Sequence, residues 1–198
     1  MLDTYGRQFV QPTVGWIAKK FLDGGLSAIQ ITFLALGIGV MCGPLVAVGL
    51  PILASGVLWF SGLLDVVDGS MAREAKNSSP WGCLLDITFD QVVELSVIVG
   101  IAIRFPDARL ALLLLTSVLL VSMTVFLTVA ALVKAEGFKS FYYQPGLIER
   151  SEELLFLTLM TLVTTWLVEI IVVFSLAKLL TTVLRMKQAR QLFRDRLR

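Results

Sequence analysis

The 198-residue chain contains no histidine, only two cysteines, and a charged fraction of 16%. Each shortage excludes something. Without histidine, any proton transfer must run through a carboxylate, a lysine, a tyrosine, a cysteine or water. Cys42 and Cys83 fall in or beside apolar stretches and read as small buried hydrophobes, with no spacing that suggests a disulfide or a zinc site. Charge is sparse against the roughly 25% of an ordinary soluble domain. The first residues also lack the pattern of a cleavable signal, because Asp3 and Arg7 are followed by "QFVQPT" and not by an apolar run.

What the chain has instead is apolar length. Hydrophobic residues make up 57% of it, and the mean hydropathy is +0.84. Residues 29–64, 84–103, 110–133 and 154–184 are each long enough to cross a bilayer once or twice, at about 20 residues per crossing. Pro44, Gly49 and Pro51 predict a turn in the first stretch, and Thr164–Trp166 predicts one in the last. The expected fold is an all-α polytopic membrane protein, a single domain over residues 1–198 with six transmembrane helices. Residues 12–23 add a short amphipathic helix: Pro12 suits a first helical position, and Val14, Ile17, Ala18, Phe21 and Leu22 recur on one face. An ordinary packed helix is the other reading of that stripe.

Six crossings put both termini on one side. That side would hold Arg7, Lys19, Lys20, Arg73, Lys76, Lys134, Lys139, Arg150 and the basic tail of residues 185–198, against Arg104 and Arg109 opposite. The bias predicts a multi-pass membrane protein with both termini and the segment of residues 65–90 in the cytoplasm. The tail is expected to meet anionic membrane lipid, not nucleic acid.

Between two apolar stretches lies "DVVDGSMAREAKNSSPWGCLLDITFD", residues 65–90, with four aspartates. Asp65 and Asp68 stand at i and i+3 on one helix face. Gly82, Asp86 and Asp90 stand at i, i+4 and i+8 on the next. The short, turn-rich connection predicts neighbouring, antiparallel helices whose carboxylates converge at the membrane boundary. Four such groups repel one another unless protons or cations intervene. Oxygen-only ligation suits a hard divalent cation such as Mg²⁺, Mn²⁺ or Ca²⁺, which completes its shell with water and phosphate oxygens. Gly69, Ala72 and Gly82 leave room for a ligand, and Arg73 offers a fork to a phosphate. Two other readings remain open at this point: a proton or cation transporter using buried aspartates, and a structural charge cluster. Residues 134–153 form a second polar interruption, with Lys139, two tyrosines and Arg150. It reads as a solvated interfacial loop or as a basic pocket for an anionic substrate.

The eight positions Asp65, Asp68, Gly69, Ala72, Arg73, Gly82, Asp86 and Asp90 fit the pattern D-x2-D-G-x2-A-R-x8-G-x3-D-x3-D without a gap. In this the chain resembles the CDP-alcohol phosphotransferases, and "MLD" and "KSFYY" are similar to a bacterial inner-membrane branch of that family. The resemblance implies transfer of a phosphatidyl group from a CDP-linked lipid, such as CDP-diacylglycerol, to a small alcohol, with release of CMP in phospholipid synthesis. It implies Mg²⁺ or Mn²⁺ on Asp65, Asp68, Asp86 and Asp90. It further implies Asp90 as general base, and Asp65, Gly69, Ala72, Arg73 and Gly82 around the CDP moiety. Homodimerisation is a family expectation. For the acceptor the resemblance divides: Gln91 replaces the lysine of glycerol-phosphate users, and "GLIERSEE" matches the first half of a stretch found in inositol-phosphate users, with Glu153 where their second arginine stands. Lys139 and Arg150 are the expected contacts to a polar or anionic acceptor.

Overall fold

A computed structural model describes residues 2–75, 79–132 and 148–195. Among them there are helices and no strand: α1 (Leu2–Asp23), α2 (Ala28–Val40), α3 (Cys42–Ala47), α4 (Pro51–Glu74), α5 (Pro80–Arg104), α6 (Arg109–Leu132), α7 (Arg150–Leu162) and α8 (Leu167–Asp195). Short 3₁₀ turns at Pro106–Ala108 and Thr164–Trp166 lead into α6 and α8.

The breaks fall where the backbone chemistry demands them. Gly49 takes a positive φ of 89°, and Pro51 then occupies the first turn of α4, where its missing N–H costs nothing. Ser27 starts α2 through a capping box: its Oγ accepts from Gln30 N at 3.3 Å, and its own N–H donates to Gln30 Oε1 at 2.8 Å. Ser79 starts α5 in a related way, accepting from Gly82 N at 3.0 Å, with Pro80 next in line.

Four segments are apolar and long enough to cross a bilayer: Ala28–Ala47, Pro51–Glu74, Pro106–Leu132 and Thr164–Gln191. Among the described residues the protein is all-helical, with the long apolar segments of a membrane protein. Helix α5 has comparable length, but Asp86, Asp90, Glu94 and Arg104 leave it no equally apolar stretch, and α7 has only 13 residues. Leu110, Leu113, Leu120 and Leu176 are exposed, as suits a surface whose solvent is lipid and not water.

Small residues let the first helices approach closely. A Cβ on Gly100 of α5 would run into the carbonyl oxygen of Gly43 in α3, and one on Gly39 would lie 2.5 Å from Val93 Cγ2. Only glycine admits such contact. Helix α7 joins α4 through polar pairs, Ser55 Oγ with Thr161 Oγ1 at 3.1 Å and Trp59 Nε1 donating to Thr158 Oγ1 at 3.0 Å. Helices α6 and α8 pack along each other.

One expectation is corrected. The amphipathic helix does not begin at Pro12. It runs from Leu2 with Pro12 inside it, so the missing proline N–H is one gap in a longer ladder instead of a helix start. Its apolar stripe, including Val14 and Ala18, packs on Leu64, Val67 and Met71 of α4, while Trp16 is 63% exposed. Helices α4 and α5 are neighbours through their acidic faces, as the short connection predicts, and α2 packs against both.

Candidate active site

The C-terminal part of α4 carries Asp65 and Asp68, and the first turns of α5 carry Asp86. One carboxylate oxygen from each lies within 4.8 Å of the others. Asp68 is only 4% exposed, and its Oδ2 has no hydrogen-bond partner. Three close carboxylates with a buried, unsatisfied oxygen form an arrangement that a cation would complete. The donor set is all oxygen, which fits Mg²⁺ or Mn²⁺.

Asp90 stands one turn beyond Asp86 and lies outside that trio. Its Oδ1 is 2.5 Å from Arg150 Nη2 at the start of α7, and both side chains are about a quarter exposed. Asp65, Asp90 and Arg150 share a narrow crevice with Thr32 and Ser61. On its other side Asp90 faces a cavity of about 300 Å³ between α5, α6, α7 and α8, lined also by Asp86, Gln91, Ser122, Glu153, Lys178 and Arg185.

Of the small residues expected to leave room, Gly69 has Arg73 Nη1 3.5 Å from where its Cβ would stand, so the Arg73 fork lies over the glycine. A Cβ on Gly82 would be 3.4 Å from Ser79 Oγ. Ala72 is half-buried on the same helix as Gly69. Lys139 lies outside the described residues.

A model of CDP-alcohol phosphatidyltransferases matches residues 26–184. The chain belongs to this family. Phosphatidylinositol phosphate synthase of Mycobacterium bovis is 32% identical over 143 residues, 70% of this chain and 64% of the synthase; the chain thus spans under two thirds of that relative's length. Inner membrane protein YnjF of Escherichia coli is 28% identical over 193 residues, 93% of each chain. The crystal structure of Mycobacterium tuberculosis phosphatidylinositol phosphate synthase with CDP-DAG bound superposes with a TM-score of 0.69 at 27% identity, covering 89% of this chain and 92% of that one. The same synthase in complex with manganese and citrate gives 0.70 at 25% identity, over 89% and 88%.

Within this family site, sequence reasoning overlooked several groups. Thr32 brings a hydroxyl beside Asp68 from α2. Glu94 is 1% exposed; its Oε2 accepts from Gln91 Nε2 at 3.4 Å, and its Oε1 has no partner. Glu94 continues the Asp86, Asp90 stripe by another four residues, so the helical period could have found it. Lys178, a lone charge in the last apolar stretch that sequence leaves to snorkel or to pair, does pair, with Glu153. Arg185 stacks over the Phe126 ring at 4.9 Å. No local signal marks those two contacts, since each joins different helices.

Proposed function

We propose that this chain is a membrane phosphatidyltransferase, moving the phosphatidyl group of a CDP-diacylglycerol-type lipid to the hydroxyl of a small polar alcohol and releasing CMP. The observation that carries the reading is the trio Asp65, Asp68 and Asp86 at the helix ends, beside a cavity into which Asp90 projects.

Asp65, Asp68 and Asp86 would hold a divalent cation, Mg²⁺ or Mn²⁺, and Asp90 would be available to a second. When bound, such an ion neutralises the diphosphate and stabilises the charge that develops on the departing oxygen. Arg73 reaches over Gly69 toward the same space, and Ala72 and Gly82 keep the CDP pocket open. In the transfer, the acceptor oxygen forms a bond to the lipid-bearing phosphorus. The bond from that phosphorus to the CMP oxygen breaks, and the hydroxyl proton passes to Asp90. Arg150 holds the Asp90 carboxylate toward the cavity and, with Lys139, meets the acceptor. The lipid tails stay in the leaflet while the acceptor enters from water.

The finer organisation belongs to the same proposal. The whole chain forms one membrane domain with six crossings, the additional two being α5 and the α7 segment, whose charges and shortness are compensated inside the bundle. Both termini, the basic end of α8 and the site lie on the cytoplasmic side, where lysine and arginine concentrate. A homodimer completes the expectation.

Purified protein with labelled CDP-diacylglycerol, Mn²⁺ or Mg²⁺ and a panel of alcohols should release CMP together with a new phospholipid. Ion flux in proteoliposomes without CMP release would replace this reading with a transporter.

A further inference from the structure

We propose that Glu94 is a positioning residue of the transfer: its open carboxylate oxygen receives the Arg150 guanidinium when the acceptor engages Asp90. The inference rests on the phosphatidyltransferase reading and deepens it.

Glu94 follows Asp90 by four residues on α5, one turn farther along the same face. It is 1% exposed. Its Oε2 has a weak contact from Gln91 Nε2 at 3.4 Å, and its Oε1 has no partner. An open carboxylate oxygen is costly to keep inside a protein and calls for an explanation. Arg150 carries the complement. Its Nη2 lies 2.5 Å from Asp90 Oδ1, while its Nε, also buried, donates to nothing. An unused donor and an unused acceptor thus stand in one charge cluster, where Arg150 and Glu94 act on each other's charge.

Asp90, Asp65, Glu153 and Glu94 all act on Arg150. The first three are committed: Asp90 holds Nη2, Asp65 belongs to the trio proposed for the cation, and Glu153 is paired with Lys178. Glu94 is the one of the four with a buried, unpartnered oxygen. The transfer gives that oxygen a use. Asp90 Oδ1 is covered while Arg150 rests on it. When the acceptor hydroxyl passes its proton to Asp90, that carboxylate becomes a neutral acid and the guanidinium loses its counter-charge in a poorly hydrated site. Glu94 lies about 6 Å farther along the helix, at 1.5 Å per residue, a distance that a change of arginine rotamer covers. Arg150 Nε then donates to Glu94 Oε1, and neither charge is left alone. Bond making and breaking at phosphorus are those of the transfer itself, and Glu94 neither gives nor takes a proton.

The test uses full-length protein in detergent with Mn²⁺ and CDP-diacylglycerol. Inositol phosphate, glycerol phosphate, inositol, glycerol and serine are tried as acceptors, and the best of them serves for the variants. Glu94→Gln keeps the shape and the contact to Gln91 but removes the charge. The expected result is a kcat lower by about tenfold or more, with donor KM and the Mn²⁺ midpoint unchanged. The thermal midpoint should not fall, because an unpartnered oxygen has no hydrogen bond to lose. Glu94→Asp retains the charge and should stay within about threefold of the parent. In an Arg150→Ala background, Glu94→Gln should change kcat by less than about twofold, because no guanidinium remains to be received. An unchanged kcat in Glu94→Gln overturns the proposal. An equal loss in both backgrounds, an aspartate variant as impaired as the glutamine one, or a Glu94→Gln protein that fails to fold marks a structural role and overturns it too. Should Arg150→Ala be inactive, Glu94→Asp decides. All these failures leave the transferase reading standing, whereas a parent protein that releases CMP with no acceptor overturns both.

Discussion

Replacing Asp90 by asparagine keeps the side chain's shape and its reach to Arg150 while removing the basicity the transfer needs. A positioned general base contributes about 10²- to 10⁴-fold to rate, or about 3 to 5 kcal/mol at 1.36 kcal/mol per tenfold. The geometry says which quantity should carry that loss. Asp90 is not among the three oxygens that lie within 4.8 Å of one another, so the proposed cation and diphosphate site loses no member of its trio. The ion pair with Arg150 is mostly buried, with side chains 23% and 24% exposed and Arg150 Nε without a partner, so weakening it should also cost about 1–3 kcal/mol of stability. Asp90→Asn should therefore lower kcat by about 10²- to 10⁴-fold, with CDP-lipid binding near that of the parent and a somewhat lower melting temperature in detergent. Single-turnover CMP release and equilibrium binding of labelled CDP-diacylglycerol measure the two halves separately. Turnover within about tenfold of the parent would refute the base assignment. Loss of donor binding in step with turnover would show that Asp90 acts as a metal ligand instead.

Asp68→Asn should raise the Mn²⁺ concentration needed for half-maximal CMP release by about 10- to 100-fold or more, the scale seen even when outer-shell partners of a metal are removed. A metal titration of activity reads this directly, and an unchanged midpoint would take Asp68 out of the site. Arg150→Ala should raise the acceptor KM by about tenfold, equivalent to about 1.4 kcal/mol, with little change in donor KM. A rise confined to the donor would place Arg150 on the nucleotide side. Gly100→Ala puts a methyl group against the backbone oxygen of Gly43, so α3 and α5 must separate. The expected loss of stability is about 1–3 kcal/mol, measured as a lower thermal midpoint in detergent.

How much of this was readable beforehand follows from the range of the forces involved. The aspartate spacing is local: i, i+3 and i, i+4 place carboxylates on one helix face wherever the helix goes, and the trio bears that out. Pro51, Gly49 and Thr164–Trp166 likewise interrupt helices through their own backbone chemistry. Pro12 misled, because a first-turn preference is weak beside the continuity of a longer helix on either side. The short connection likewise predicts that the acidic faces of α4 and α5 meet, which Asp65, Asp68 and Asp86 do, whereas the packing of α2 against both helices has no local signal.

The sequence by itself settled that the chain is helical, rich in membrane-length apolar segments, and equipped with acidic side chains in phase at two helix ends. These properties depend on residue order within a few turns. Only the tertiary structure decided that Arg150 would close on Asp90, 60 positions earlier, that Lys178 would spend its charge on Glu153, and that Glu94 would be sealed inside. Those partnerships arise because separate helices, brought together by small-residue contacts and apolar burial, set Arg150 and Lys178 against opposite charges from elsewhere in the chain.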